Sequence, residues 1–359
     1  MTHAGQGAQP DQPGRITGGV DTHRDTHHAA ACDQHGRLLG TAEFPATAAG
    51  YEALLAWMCA RGRLAGVGVE GTGSYGAGLT RFLTRHHVTV FEVNRPDRSQ
   101  RRRRGKTDSL DAQAAARAVL AGDTTAVPKT HTGGVEALRM LHTARTGALK
   151  ARTAALNTLH SMIVTADDPL RTQLRDLPKT HLPATCADLP DTSHDPADPT
   201  QATRTALRSL AGRITQLTRE ITGLNQQIDS LTQRLAPATT SVYGAGPATT
   251  AQLLITCGDN PDRLHNETAL AALTGTSPLP ASSGRTHRHR LNRGGDRQAN
   301  KALHQIIIVR MRHDPRTRDY VRKRTQQGLS KKDIQRCLKR YLVREIYRTI
   351  RADLALDTQ

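Results

Sequence analysis

The sequence predicts three consecutive units: an α/β layer with partly parallel strands at residues 15–128, a helical section at 129–236, and a mainly helical C-terminal unit at 237–351. Three observations carry this expectation. Short β-branched runs alternate with helical spacing in the first stretch, a strict heptad stripe runs through the second, and the third alternates basic stretches with helical ones around a Gly-Ala-Gly-Pro turn. The ends, 1–14 and 352–359, read as tails, the first flexible because it is polar and rich in Gly and Pro.

In the first unit, ITGGVDTHRDTHHAAACD reads as a strand, a turn and a second strand. Helical spacing follows in GYEALLAWMCAR. AGVGVEGTG and VTVFEVN are two further strand-like runs, separated by the helix-like AGLTRFLTRH. SLDAQAAARAVLAG predicts the last helix, closed by Gly122 and followed by the break PKT.

In the helical section, Leu138, Leu141, Leu149, Leu156, Leu159 and Ile163 form an imperfect apolar stripe. A Pro/Asp/Thr-rich stretch at about 167–200 predicts a long exposed loop. Leu207, Leu210, Ile214, Leu217, Ile221, Leu224, Ile228, Leu231 and Leu235 then recur in steps of three and four, the pattern of a coiled coil. Pairing within the chain and pairing across a dimer or tetramer both satisfy it.

SVYGAGPATTAQLL has the form of a helix-hairpin-helix turn. Gly244 and Gly246 would let the backbone approach a phosphate, with the N–H groups of a helix start beside it. A plain tight turn before a helix has the same spelling, and both readings stand.

Charge narrows the function classes. The chain carries 50 Lys+Arg against 32 Asp+Glu, and only nine of the cations are lysines. From Gly284 to Arg351 there are 21 Lys/Arg against five Asp/Glu, an excess of 16 out of the overall +18. Such a concentration points to a polyanion, with nucleic acid ahead of an anionic membrane. Three Phe and one Trp leave few stacking platforms, so contact with the nucleic-acid backbone should dominate. Five scattered cysteines without a Cys-x-x-Cys pair fit reduced thiols in a cytosol. No apolar run approaches the roughly 18 residues of a membrane span, so a cytoplasmic protein without a membrane partner is expected.

Four carboxylates are the candidate chemistry. Asp21 stands where the first strand runs out and Glu70 at the end of another apolar run. Asp108 and Asp111 lie in KTDSLDAQ at i, i+3, on one face of a helix. Together they suit Mg2+ or Mn2+, hard ions that take oxygen ligands and assist phosphoryl transfer. Singly each has a structural reading as a turn cap, an ion-pair partner or a helix cap. The Asp pair follows an arginine run in which Arg101, Arg102, Arg103, Arg104 and Lys106 would hold a nucleic-acid backbone; a solvated loop is the other reading.

The blocks GVDTH, VEGTGSYG and VNRPDRSQRRRRGKTDSLDA resemble the N-terminal domain of the DEDD transposases of the IS110 family, relatives of the Piv invertase. A second block, GAGPATTAQLL followed by LAALTGTSPLPASSGRTHRHRLNRGGDRQANKALHQIII, is similar to that family's C-terminal domain. The resemblance covers roughly 15–128 and 240–350. It implies an RNase H-like fold, close to the Holliday-junction resolvases, carrying Asp21, Glu70, Asp108 and Asp111. It also implies a serine nucleophile in a Ser-Gly motif, which falls on Ser283, with Ser282 adjacent. Arg285, Arg288, Arg290 and Arg293, with His287 and His289, would then be phosphate ligands. Finally, the resemblance implies a structured guide RNA and double-stranded donor and target DNA as partners, handled by a homo-oligomer. A junction-resolving nuclease without a serine intermediate and a non-catalytic nucleic-acid scaffold are the alternatives.

Overall fold

The computed structural model describes residues 14–93, 107–124, 126–195, 197–259, 264–283 and 289–356. The chain divides into two compact units, Met1–His131 and Thr132–Gln359, so the long helices and the C-terminal helices share one unit. Arg101, Arg102, Arg103, Arg104, Lys106, Arg285, His287 and Arg288 lie outside the described residues.

The first unit is built on β1 (Arg15–Thr22), β2 (Thr26–Asp33), β3 (Leu38–Pro45), α1 (Ala48–Cys59), β4 (Arg63–Glu70), α2 (Ala77–Arg85), β5 (Val90–Val93) and α3 (Asp108–Leu120). The strands form a five-stranded sheet in the order β3-β2-β1-β4-β5. The β1–β2 and β2–β3 pairs are antiparallel, whereas β1–β4 and β4–β5 are parallel, so the expected mixed α/β layer is present.

Successive residues of a strand face opposite sides of a sheet, and two adjacent glycines show what lies on each side of β1. A Cβ on Gly18 would meet the Met58 sulfur of α1 at 2.6 Å, while one on Gly19 would meet the Ala112 carbonyl of α3 at 2.2 Å. Helices α1 and α2 therefore cover one face, where Val20, Val67 and Val69 pack with Leu54, Met58, Leu79 and Leu83. Helix α3 covers the other. It lies nearly backbone to backbone on the sheet, since a Cβ on Gly68 would also come within 2.8 Å of the Ala115 carbonyl. Its buried residues on that side, Ala112, Ala115 and Ala116, are small enough to permit this.

The second unit begins with α4 (Gly133–Thr165), α5 (Asp168–Leu174), α6 (Leu182–Ala187) and α7 (Pro199–Leu235). Helices α4 and α7 form an antiparallel pair: Leu138 packs with Ile228 and Leu235, while Leu159 and Ile163 pack with Leu207 and Ile214. The heptad stripe is thus used inside the unit, and unevenly. Leu207, Ile214, Ile221, Ile228 and Leu235, seven residues apart, are buried, whereas Leu210, Leu217, Leu224 and Leu231 between them are half-buried.

The stretch at about 167–200, expected as an exposed loop, instead contains α5 and α6 and contributes buried Leu170, Leu174, Leu182, Cys186 and Leu189 to the core at that end. Pro169, Pro183 and Pro199 stand in the first turn of helices, where no backbone donor is lost, and so do not break them.

The remainder comprises α8 (Pro237–Thr240), α9 (Pro247–Cys257), α10 (Glu267–Leu273), a hairpin of two short antiparallel strands, β6 (Leu279–Pro280) and β7 (His289–Arg290), α11 (Arg297–His313), α12 (Pro315–Gln326) and α13 (Lys331–Leu356). Their core is formed by Leu253, Leu270, Leu303, Ile306, Ile307, Leu342, Val343 and Ile346, among others. Asp353, 1% exposed, ties the end of α13 to α8 by accepting from the Ala238 and Thr239 backbone N–H groups.

Candidate active site: a carboxylate face and a serine hairpin

Alternation along the strands decides which side chains meet. Asp21 shares the α3 face with Gly19, and Glu70 shares it with Gly68. Val20 pairs with Val69 in the parallel β1–β4 ladder, so the two acids follow on neighbouring strand ends. The Thr22 hydroxyl donates to the Glu70 carbonyl at 2.7 Å and fastens those ends together. Asp108 and Asp111 occupy the first turn of α3, with Asp111 only 7% exposed and directly before the Ala112 that rests on Gly19. Asp21 is 6% exposed. Glu70 and Asp108 are half-buried.

One imidazole links strand and helix. His23 Nε2 lies 3.7 Å from an Asp21 carboxylate oxygen and 3.8 Å from one of Asp108. A second histidine flanks the same helix start: His28 Nε2 is 3.5 Å from the other Asp108 oxygen and 3.8 Å from Glu43. Sequence reasoning named the four acids and missed both histidines and Glu43. The signal was present in the hairpin. A turn between Thr22 and Thr26 pairs Asp21 with His28, and His28 in turn pairs with Glu43, so all three share the α3 face.

The second unit offers different chemistry. Gly246 precedes α9 and is fixed by Thr249, whose hydroxyl accepts from the Gly246 N–H at 2.9 Å and donates to its carbonyl at 2.8 Å. Gly244 adopts φ of 84°, a conformation that L side chains rarely take, and approaches α11. The Gly-Ala-Gly-Pro turn is therefore formed, with its helix start closed in part by Thr249.

Ser283 is exposed on the segment that leaves β6, and Ser282 is exposed beside it. The base of this hairpin is supported by an unusually close backbone contact. A Cβ on Gly295 would lie 2.1 Å from the Gly275 nitrogen. Asn300 donates to the Thr274 carbonyl at 2.8 Å and receives a bond from Lys339 Nζ at 2.7 Å. Burial pushes the Lys339 ammonium below the usual lysine range. Beside it opens a cavity of about 510 Å³ lined by Arg290, Arg336, Lys339, Tyr341 and Arg344, among others. Arg293, exposed in the segment after β7, completes the predicted cations that are described.

Comparison with known proteins gives two family matches along the chain. Residues 18–166 match a family model described as the DEDD transposase of IS110, and residues 236–322 match one described as Transposase IS116/IS110/IS902 family. The chain belongs to the IS110 family of transposases. A curated relative, the uncharacterized 43.6 kDa protein of insertion element IS110 from Streptomyces coelicolor, is 36% identical over 98 residues. That match spans 26% of this chain and 23% of the relative, so the chain covers about a quarter of the relative's length. In this IS110-family chain the first matched region contains all four carboxylates and the second contains both the Gly-Ala-Gly-Pro turn and Ser283. Among the described residues no helix is long and apolar enough to cross a membrane.

Proposed function

We propose that this chain is an insertion-sequence recombinase that cuts and rejoins DNA, with Asp21, Glu70, Asp108 and Asp111 holding Mg2+ or Mn2+ and Ser283 serving as nucleophile. The observation that carries the reading is the common orientation of the acids: strand alternation and the Gly19–Ala112 contact turn carboxylates from β1, β4 and α3 toward one face. The donor set is all oxygen, which suits a hard divalent ion. A bound ion would neutralise negative charge on the scissile phosphate and orient it.

The chain's own groups then divide the work. The Ser283 oxygen attacks phosphorus, forming a phosphoserine ester as the bond to one deoxyribose oxygen breaks; the serine proton passes to solvent or to that leaving oxygen. Attack by a hydroxyl of the partner strand reverses the step and frees the serine, so no external energy source is consumed. Arg290, Arg293 and the outlying Arg285 and Arg288 would hold phosphates during the exchange, with Gly244 and Gly246 presenting backbone to another stretch of duplex. A structured guide RNA as specificity partner fits a protein with many arginines and few aromatics. The half-buried leucines of α7 would assemble a homo-oligomer by coiled-coil contacts. An RNase H-like relationship of the first unit is consistent with the strand order β3-β2-β1-β4-β5.

The test is a plasmid recombination assay that supplies the DNA flanking the gene and compares wild type with Asp21→Ala and Ser283→Ala. Both variants should lose recombination, and a covalent protein–DNA adduct should vanish with Ser283→Ala. Cleavage that survives Ser283→Ala would replace this reading with a junction-resolving nuclease. Recombination untouched by Asp21→Ala would make the carboxylates structural.

A further inference from the structure

We propose that His23, His28 and Asp108 form a binding site for a borderline divalent metal ion of the Zn2+ or Co2+ kind at the open rim of the carboxylate face. Each of the three offers one ligand atom, and these atoms lie within 4.8 Å of one another. Around a zinc ion, nitrogen and oxygen ligands stand about 2.0–2.2 Å from the metal, which places neighbouring donors roughly 3.0–3.5 Å apart. His23 stands 3.8 Å from one Asp108 oxygen and His28 3.5 Å from the other, so side-chain adjustments of about an ångström would bring one atom from each into that range.

The placement comes from the backbone and is not an accident of long surface chains. His28 is fixed on β2 opposite Asp21, His23 opens the turn that joins β1 to β2, and Asp108 begins the helix held down by Gly19 and Gly68. Side-chain exposures of 39%, 23% and 39% for His23, His28 and Asp108 leave the site open to an ion from solvent and to a water as a further ligand. Asp21, 3.7 Å from His23, and Glu43, 3.8 Å from His28, add negative charge that favours a cation.

Ligand type sets the selectivity. Mg2+ keeps to oxygen ligands in strict octahedral geometry, whereas imidazole nitrogen suits Zn2+, Co2+ and Ni2+. The unit therefore carries a mixed nitrogen–oxygen set next to the all-oxygen set. Asp108 belongs to both, so filling one affects the other, but the mixed site stands whether or not the four carboxylates are catalytic.

Calorimetric titration of the full-length protein with Zn2+ in excess Mg2+, paired with Zn2+-soaked crystals measured at the zinc absorption edge, tests the proposal. One Zn2+ should remain bound despite Mg2+, with its anomalous peak between the two imidazoles and Asp108. His28→Ala and His23→Ala should each weaken that binding by at least about tenfold, and His28→Gln should do the same. Glu70→Gln should change it by less than about twofold. Thermal melts of each variant without metal verify folding. Displacement by Mg2+, a peak elsewhere, or Zn2+ binding indifferent to both histidines would overturn the proposal. Because the readout is occupancy, it separates from recombination: loss of activity in Asp21→Ala says nothing against the site, and an absent Zn2+ peak says nothing against the recombinase.

Discussion

The Ala112 carbonyl of α3 occupies the space that a side chain on Gly19 would need, at 2.2 Å from an ideal Cβ. The carboxylate-bearing helix is therefore seated by the absence of a methyl group. Gly19→Ala should lower stability by about 3 kcal/mol, since overpacking here meets backbone that cannot rotate away. Gly147→Ala is the contrast. Gly147 is exposed within α4 with nothing near its would-be Cβ, and the change should raise stability by roughly 0.5–1 kcal/mol. Chemical denaturation of both variants measures this. Equal effects of the same sign would mean that α3 does not rest on Gly19.

His142 gives the long-helix pair a pH dependence. Its imidazole is held below the ordinary 6.5 by burial first and by the nearby Arg145 guanidinium second. The folded protein consequently binds fewer protons than the unfolded chain between the lowered value and 6.5. Stability from this group is complete above pH 6.5 and is lost as pH falls through the lowered folded value. His142→Asn should flatten the corresponding stretch of a stability–pH curve read by urea melts. An unchanged curve would assign the acid sensitivity to other groups.

Arg290 lies exposed on β7 beside the cavity under the serine hairpin. A phosphate contact there predicts that Arg290→Ala weakens binding evenly across DNA sequences and lowers the slope of log affinity against log salt by about 1. Fluorescence anisotropy at several salt concentrations measures both. Loss confined to one base sequence would instead make Arg290 a reader of bases.

Much of the carboxylate face is legible in the sequence because strand alternation is a rule of parity. Asp21 two residues after Gly19, and Glu70 two after Gly68, must share faces with those glycines. The helix signal of SLDAQAAARAVL is equally local. His23 and His28 escaped notice because their role depends on the register of a hairpin, which is set by the turn and not by composition. The short helices α5 and α6 were hidden by prolines that ordinarily signal loops, although prolines in a first turn are compatible with helices. Gly275 and Gly295 touch across 20 residues of chain, a relationship that no local pattern announces. The heptad stripe of α7 predicted a long apolar helix; it did not reveal that every second member would be spent on α4.

The two-residue interval from Gly19 to Asp21 works as a ruler for insertions. A single codon added inside β1 would carry every later residue of the strand to the opposite face, turning the Asp21 carboxylate into the core beside Met58 and presenting a neighbour to α3. The same codon added between Asp33 and Leu38, where β2 turns into β3, would only lengthen a surface turn. Mutational drift in this chain should therefore accumulate length changes freely at that turn and almost none between Ile16 and Thr22.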